Sequence, residues 1–138
     1  MAQVNETKMR ESSVVEQWPK VGAGGGLHLL GEWHECAAPR ALLEDAARLR
    51  RMCLLSAADA GLRVLGHLFQ QGSPTGVAGA MLLADSHLTI RTRPDDQSVT
   101  VDVFVGGQAR NHRFKARALY SLIKERLMPE QENVEQIG

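Results

Sequence analysis

Apolar positions recur through "LHLLGEWHEC", Leu27–Cys36, which has the character of a strand. Pro39 then suits the first turn of a helix running to about Ala60, closed by Gly61. Leu42, Leu49, Cys53 and Ala57, with Leu43 and Ala46 beside them, recur at helical spacing and form its apolar stripe. "LRVLGHLFQQ", Leu62–Gln71, predicts a second strand, and "GSPTG", Gly72–Gly76, a turn. Two more strands, Val77–Ala84 and His87–Arg93, flank the pair Asp85-Ser86 and are expected to form a hairpin. After a turn at Pro94–Gln97, the stretch "SVTVDVFVGG", Ser98–Gly107, places Val99, Val101, Val103 and Val105 on one face. A second helix, from about Asn111 to Met128, is expected to carry Phe114, Ala118, Leu122 and Ile123 inward and to stop at Pro129. Asn133–Ile137 reads as a last edge strand. The order of strand, helix, four-strand run and helix predicts an α+β fold: a two-layer sandwich, an antiparallel sheet with two helices packed on one face.

A chain of 138 residues fits one domain, which at this length buries roughly two thirds of the surface of the unfolded chain. Residues 1–21 are polar and without period and run into "VGAGGG", Val21–Gly26. A flexible extension over 1–25 and a folded domain over 26–138 are therefore expected. No strand precedes the glycines and no helix follows them, so they read as a hinge rather than a nucleotide-binding loop. The formal net charge is zero and the pI about 7.0, which leaves no global field for nucleic acid or an anionic membrane. Arg110, Arg113, Lys115 and Arg117 read as a solvated helix face. No apolar run approaches the roughly 20 residues that span a bilayer, so neither nucleic acid nor membrane is an expected partner. Cys36 and Cys53 are too few for a disulfide framework, and no basic region joined to an apolar one opens the chain. The expected location is cytoplasmic, with reduced thiols.

A serine after an acid in a hairpin is ordinarily a turn residue. Its neighbours give Ser86 a second meaning. "GLHLL" opens a strand that ends in "EWHEC"; a Leu-rich helix, "VLGHLF", "PTGVAG", "LLADSHLTIRTRP" and "VTVDVFV" follow in order, before a basic helix. Over Gly26–Gly138 this series resembles the short, prokaryotic type of S-adenosylmethionine decarboxylase, a self-cleaving, pyruvoyl-dependent enzyme of spermidine synthesis. The resemblance implies that Ser86 is the pyruvoyl precursor and Asp85, where the family usually has Glu, the residue before the cleavage site. The serine oxygen attacks the carbonyl carbon of the preceding residue, converting the peptide to an ester. Loss of the serine α-proton then releases the upstream chain and leaves a pyruvoyl group. Its carbonyl, once joined to the substrate amine, draws off the electrons left when carbon dioxide departs. Applied to this chain, the products are residues 1–85 and 86–138.

The same resemblance assigns the neighbours, and here the chain departs from it. The processing histidine falls on Arg91, which stays protonated and takes no proton. The processing Ser or Thr falls on Ala78, which offers no hydrogen bond, and the catalytic cysteine on Gly106, which has no side chain. Of the two aromatic residues implied at the adenine site, Phe69 remains, in Phe69-Gln70-Gln71-Gly72. Asp95, in Thr92-Arg93-Pro94-Asp95, keeps an acid where ribose is gripped, one methylene shorter.

Other residues do not restore the missing groups. His87 is adjacent to Ser86, and neighbours along a strand point to opposite faces. Cys53 lies in the helix stripe and reads as a core thiol. His28, His34 and Cys36 match no established zinc spacing, so no metal is expected, and His67 and His112 read as ordinary surface or core-edge residues. Three losses at chemical positions, among well-formed strands, point to a degenerate homologue linked to polyamine biosynthesis that does not self-process. The alternatives are an active pyruvoyl decarboxylase of S-adenosylmethionine, or of another amino acid such as ornithine or arginine, with Arg91 or Arg93 binding a substrate carboxylate. The cofactor is a pyruvoyl group from Ser86 if the chain is processed and otherwise none. The resemblance also implies a dimer, either a homodimer or a heterodimer with an active homologue, and S-adenosylmethionine or a polyamine as ligand.

Overall fold

The computed structural model describes residues 26–72, 74–106 and 110–138. The extension expected over 1–25 lies outside the described residues. Strand β1 is Leu27–Cys36, followed by helices α1, Arg40–Glu44, and α2, Ala46–Asp59. Strands β2, Val64–Gln71, β3, Val77–Leu83, and β4, Ser86–Arg93, come next; a 3-10 turn at Pro94–Asp96 leads into β5, Ser98–Val105. Helix α3, Arg110–Leu127, and strand β6, Pro129–Ile137, complete the order. The strands form one six-stranded sheet in the order β2-β3-β4-β5-β1-β6, every neighbouring pair antiparallel. The helices lie against one face, which is the expected two-layer α+β sandwich.

The alternation in the strands sets the two faces. Leu27, Leu29 and Trp33 of β1, Leu88 and Ile90 of β4, and Val99, Val101, Val103 and Val105 of β5 are buried under the helices. Leu49, Cys53 and Ala57 of α2 and Leu119, Ile123 and Leu127 of α3 close the core from above. Among the described residues, no helix covers the other face of the sheet, the open face.

Three expectations change. The single helix from Pro39 is two, because Asp45 adopts an extended backbone and its carboxylate accepts hydrogen bonds from the N–H groups of Ala47 and Arg48, at 2.9 and 3.3 Å, which starts a new helix. Phe114 does not point inward: it is 73% exposed. The buried positions of α3 are Ala116, Leu119, Tyr120, Ile123 and Leu127, a stripe at helical spacing that does not include position 114. The last strand begins at Pro129 rather than Asn133 and pairs with β1 along most of its length. Gly61, with φ +81°, closes α2 as expected.

Tyr120 is tolerated in the core because its hydroxyl is satisfied. It donates to Glu132 Oε2 at 2.5 Å and accepts from Trp33 Nε1 at 3.1 Å, while Lys124 Nζ donates to Glu132 Oε1 at 2.5 Å. The network ties α3 to β1 and β6. It also explains Gly31, where a Cβ would stand 2.3 Å from the Tyr120 hydroxyl. Gly31→Ala is expected to cost about 2 kcal/mol, read as a lower midpoint in thermal unfolding.

Candidate active site

A two-residue connection, Ala84-Asp85, joins β3 to β4, with Leu83 paired to Ser86. Asp85 carries a positive φ of 62°, in the left-handed region that Asp tolerates better than most residues. Its carbonyl oxygen, part of the Asp85-Ser86 peptide, accepts a hydrogen bond from the N–H of Gly106 at 3.1 Å. Ser86 is 6% exposed and faces the helix side, its hydroxyl donating to the Ala84 carbonyl at 3.3 Å. His112, in the first turn of α3, sets Nδ1 3.5 Å from Asp85 Oδ2. That nitrogen is buried and has no hydrogen-bond partner. Turn, serine, backbone donor and imidazole therefore meet at one end of the sheet.

Ala78 and Arg91 sit elsewhere. They are cross-strand partners, and with Gln70, Thr100 and Glu32 they form one row across the open face. Five residues of strand, about 17 Å, separate Arg91 from Ser86, and the two side chains point to opposite faces. The row lines a shallow groove of about 1290 Å³ on the open face, which Asp102 and Thr89 also border. Phe69 is outside that groove: it is partly buried, and its ring lies over Gly79, where a Cβ would come within 2.3 Å of it. Asp95 is exposed on the 3-10 turn and held by Arg40, whose Nη2 lies 2.7 Å from Oδ1.

Nearer the junction, the open face carries His87, Phe104 and His28 in one row. The His87 ring stacks on Phe104 at 5.3 Å, the His28 ring meets Phe104 edge-on at 5.6 Å, and His28 Nε2 contacts Asp102 Oδ1 at 2.5 Å. Among the described residues, no cluster of three or more His, Cys, Asp or Glu could hold a metal ion. No helix among them is long and apolar enough to cross a membrane. Arg113 and Arg117, part of the basic run, hydrogen-bond to the Gly26 carbonyl and to Gln136 Oε1, at 3.3 and 2.8 Å.

Neither cysteine is near Ser86. Cys36 ends β1 opposite Pro129, at the far end of the sheet, and Cys53 is inside α2. Burial pushes both thiols up, that of Cys53 to about 12. Both are therefore expected to resist an aromatic disulfide reagent in the native protein and to react together only on unfolding, as followed by absorbance.

A family profile described as S-adenosylmethionine decarboxylase matches residues 27–138. The chain belongs to the S-adenosylmethionine decarboxylase family. Among its decarboxylase relatives, the S-adenosylmethionine decarboxylase proenzyme of Acetivibrio thermocellus is 35% identical over 101 residues, covering 67% of this chain and 80% of that protein. The proenzyme of the same name from Clostridium tetani is 36% identical over 62% of this chain and 67% of its own. The crystal structure of the adenosylmethionine decarboxylase from Aquifex aeolicus superposes with a TM-score of 0.70 at 25% identity, covering 80% of this chain and 87% of that one. Of the groups that meet at the junction, the one to which no sequence pattern points is His112. No periodicity links it to Asp85; the contact follows from how α3 docks beside the hairpin.

Proposed function

We propose that this chain is a decarboxylase-family protein of polyamine biosynthesis, in the spermidine branch, that remains in its precursor form. Self-cleavage between Asp85 and Ser86 requires loss of the Ser86 α-proton, and the place the family resemblance gives to the base is held by Arg91. Its cross-strand partner on β3 is Ala78, in register, so the place the resemblance gives to the processing Ser or Thr offers no hydroxyl. That pairing of a permanent cation with a methyl group carries the reading. The unprocessed protein acts in the cytoplasm by binding, as a subunit beside an active homologue or as a receptor for S-adenosylmethionine or a polyamine.

Partial retention of the junction favours a second reading, an active pyruvoyl decarboxylase of S-adenosylmethionine, ornithine or arginine. The Gly106 N–H still points at the Asp85 carbonyl, although the side chain at 106 is gone. Intact mass after long incubation at neutral pH separates the two. One species at about 15.1 kDa supports the precursor reading. Fragments 1–85 and 86–138, the second beginning with a pyruvoyl group, would overturn it in favour of the second.

The division of the site supports a dimer. Ser86 faces the helix side at the start of β4, while Ala78 and Arg91 lie farther along the sheet on the open face, so one chain does not bring the two sets together, and the open face is the surface a second copy would cover. Leu68 and Leu82, 68% and 57% exposed, supply apolar surface for it. Sedimentation equilibrium is expected to give twice the chain mass, or a mixed dimer when an active homologue is present.

A further inference from the structure

His112 has no role in the reading above, yet its position is specific. The imidazole comes from α3, on the helix side of the sheet, which is also the side Ser86 faces. Among the described residues, His28 and His87 lie on the open face with Arg91, and His67 is exposed on β2. His112 is thus the histidine brought to the junction from the serine's own side. Its Nδ1 is buried without a hydrogen bond, 3.5 Å from Asp85 Oδ2. That separation is longer than a hydrogen bond and short enough for an ion pair once the ring is protonated. A buried ring nitrogen left unpaired costs stability unless a proton transfer completes the contact.

We propose that His112 is a positioning residue for the Asp85-Ser86 junction, acting through the Asp85 carboxylate, and that this dyad still supports transfer of the Asp85 acyl group from the Ser86 nitrogen to its oxygen. The inference rests on the precursor reading, because it is the missing second step that leaves the ester in place. The bond from Ser86 Oγ to the Asp85 carbonyl carbon forms, and the bond from that carbon to the Ser86 nitrogen breaks. The proton leaving Oγ is taken up by the dyad and returned to the nitrogen as it becomes an amine. Atoms and charge balance without a cofactor or oxidant. Two features assist independently of side chains the chain has lost. The Gly106 N–H, 3.1 Å from the Asp85 carbonyl oxygen, faces the atom on which negative charge grows. The left-handed backbone of Asp85, φ 62°, is a local strain that breaking its peptide bond relieves.

The test is hydroxylamine at neutral pH on the folded full-length chain, followed by mass analysis. The sequence contains no Asn-Gly pair to give background cleavage. The expected products are residues 1–85 as a hydroxamate and residues 86–138 beginning with the Ser86 amine. His112→Gln is expected to lower the cleavage rate at least tenfold, and added imidazole to restore part of it in His112→Ala, which a purely structural role would not allow. Asp85→Asn, at a half-exposed turn, is expected to give a similar fall and serves if the histidine variants do not fold. A wild-type chain that stays whole with and without hydroxylamine overturns this inference and leaves the precursor reading standing. Cleavage unchanged in both His112→Gln and Asp85→Asn also overturns it. Pyruvoyl-bearing fragments without hydroxylamine would overturn the precursor reading instead, and the inference then stands only if His112→Gln slows their appearance.

Discussion

The variant Arg91→His, Ala78→Ser, Gly106→Cys is expected to convert a single chain into fragments 1–85 and 86–138. A positioned imidazole near neutral pKa contributes roughly 100- to 10,000-fold to a proton transfer, so Arg91→His is the substitution with the largest share. The positions can accept the repair. Ala78 and Arg91 are neighbours on an open face, where serine and histidine meet no packed wall. A Cβ at Gly106 would stand 3.1 and 3.3 Å from the Phe104 ring, which is only partly buried and can yield by a few tenths of an ångström. Intact mass over time reads the result, and a chain that stays whole would show that another substitution also disables it.

The division between the two ends of β4 makes a sharper version. One chain carries Arg91→His and Ala78→Ser but also Ser86→Ala, so it cannot be cut; the other carries Gly106→Cys with Ser86 intact. Neither is expected to fragment alone. Mixed, they are expected to yield fragments of the second chain only if a partner supplies its base and hydroxyl. Cleavage of the second chain alone, without its partner, would place the base within one chain and favour a route from His112.

Much of this was legible beforehand where local pattern and packing agree. The valines at 99, 101, 103 and 105 alternate because one face of β5 is covered and the other is not, and the same rule separates Ser86 from His87. The register of the β3–β4 hairpin was within reach as well. A two-residue loop at Ala84-Asp85 places 83 opposite 86 and hence 78 opposite 91. Starting the strand one residue late, at His87, hides that pairing, because register tolerates no slip. The break at Asp45 was obscured by an apolar stripe that continues through it. Phe114 misled because its size suggests burial, whereas Tyr120 is buried through a hydroxyl whose partners lie on β1 and β6. The His112–Asp85 contact joins two segments by tertiary docking alone, and nothing local in either records it.

The Trp33, Tyr120, Glu132 and Lys124 network should dominate the stability of the fold, and Glu132→Ala is expected to cost about 3 kcal/mol, roughly 10 °C in Tm. Removing the carboxylate leaves the Tyr120 hydroxyl and the Trp33 Nε1, both in buried residues, without their shared acceptor, while Lys124 keeps access to water. The pH dependence follows from the same contacts. Burial pushes the Glu132 carboxyl up, but hydrogen bonds from Lys124, Tyr120 and Trp33 together outweigh it and hold it below its ordinary value. A depressed carboxyl stabilises the fold above the unfolded pKa of about 4.3, and that stability is lost as pH falls through the lower folded value. Burial, then the hydrogen bond to Glu132, pushes the Tyr120 hydroxyl up. Its contribution is complete below the unfolded pKa of about 10 and is lost as pH rises beyond it. Urea unfolding followed by tryptophan fluorescence across pH is therefore expected to show an acid limb that flattens in Glu132→Gln and an alkaline limb that flattens in Tyr120→Phe. The two limbs are coupled through one shared hydrogen bond, so the double variant is expected to lose less than the sum of the singles. An acid limb unchanged in Glu132→Gln would mean that this network does not set the acid stability of the sheet.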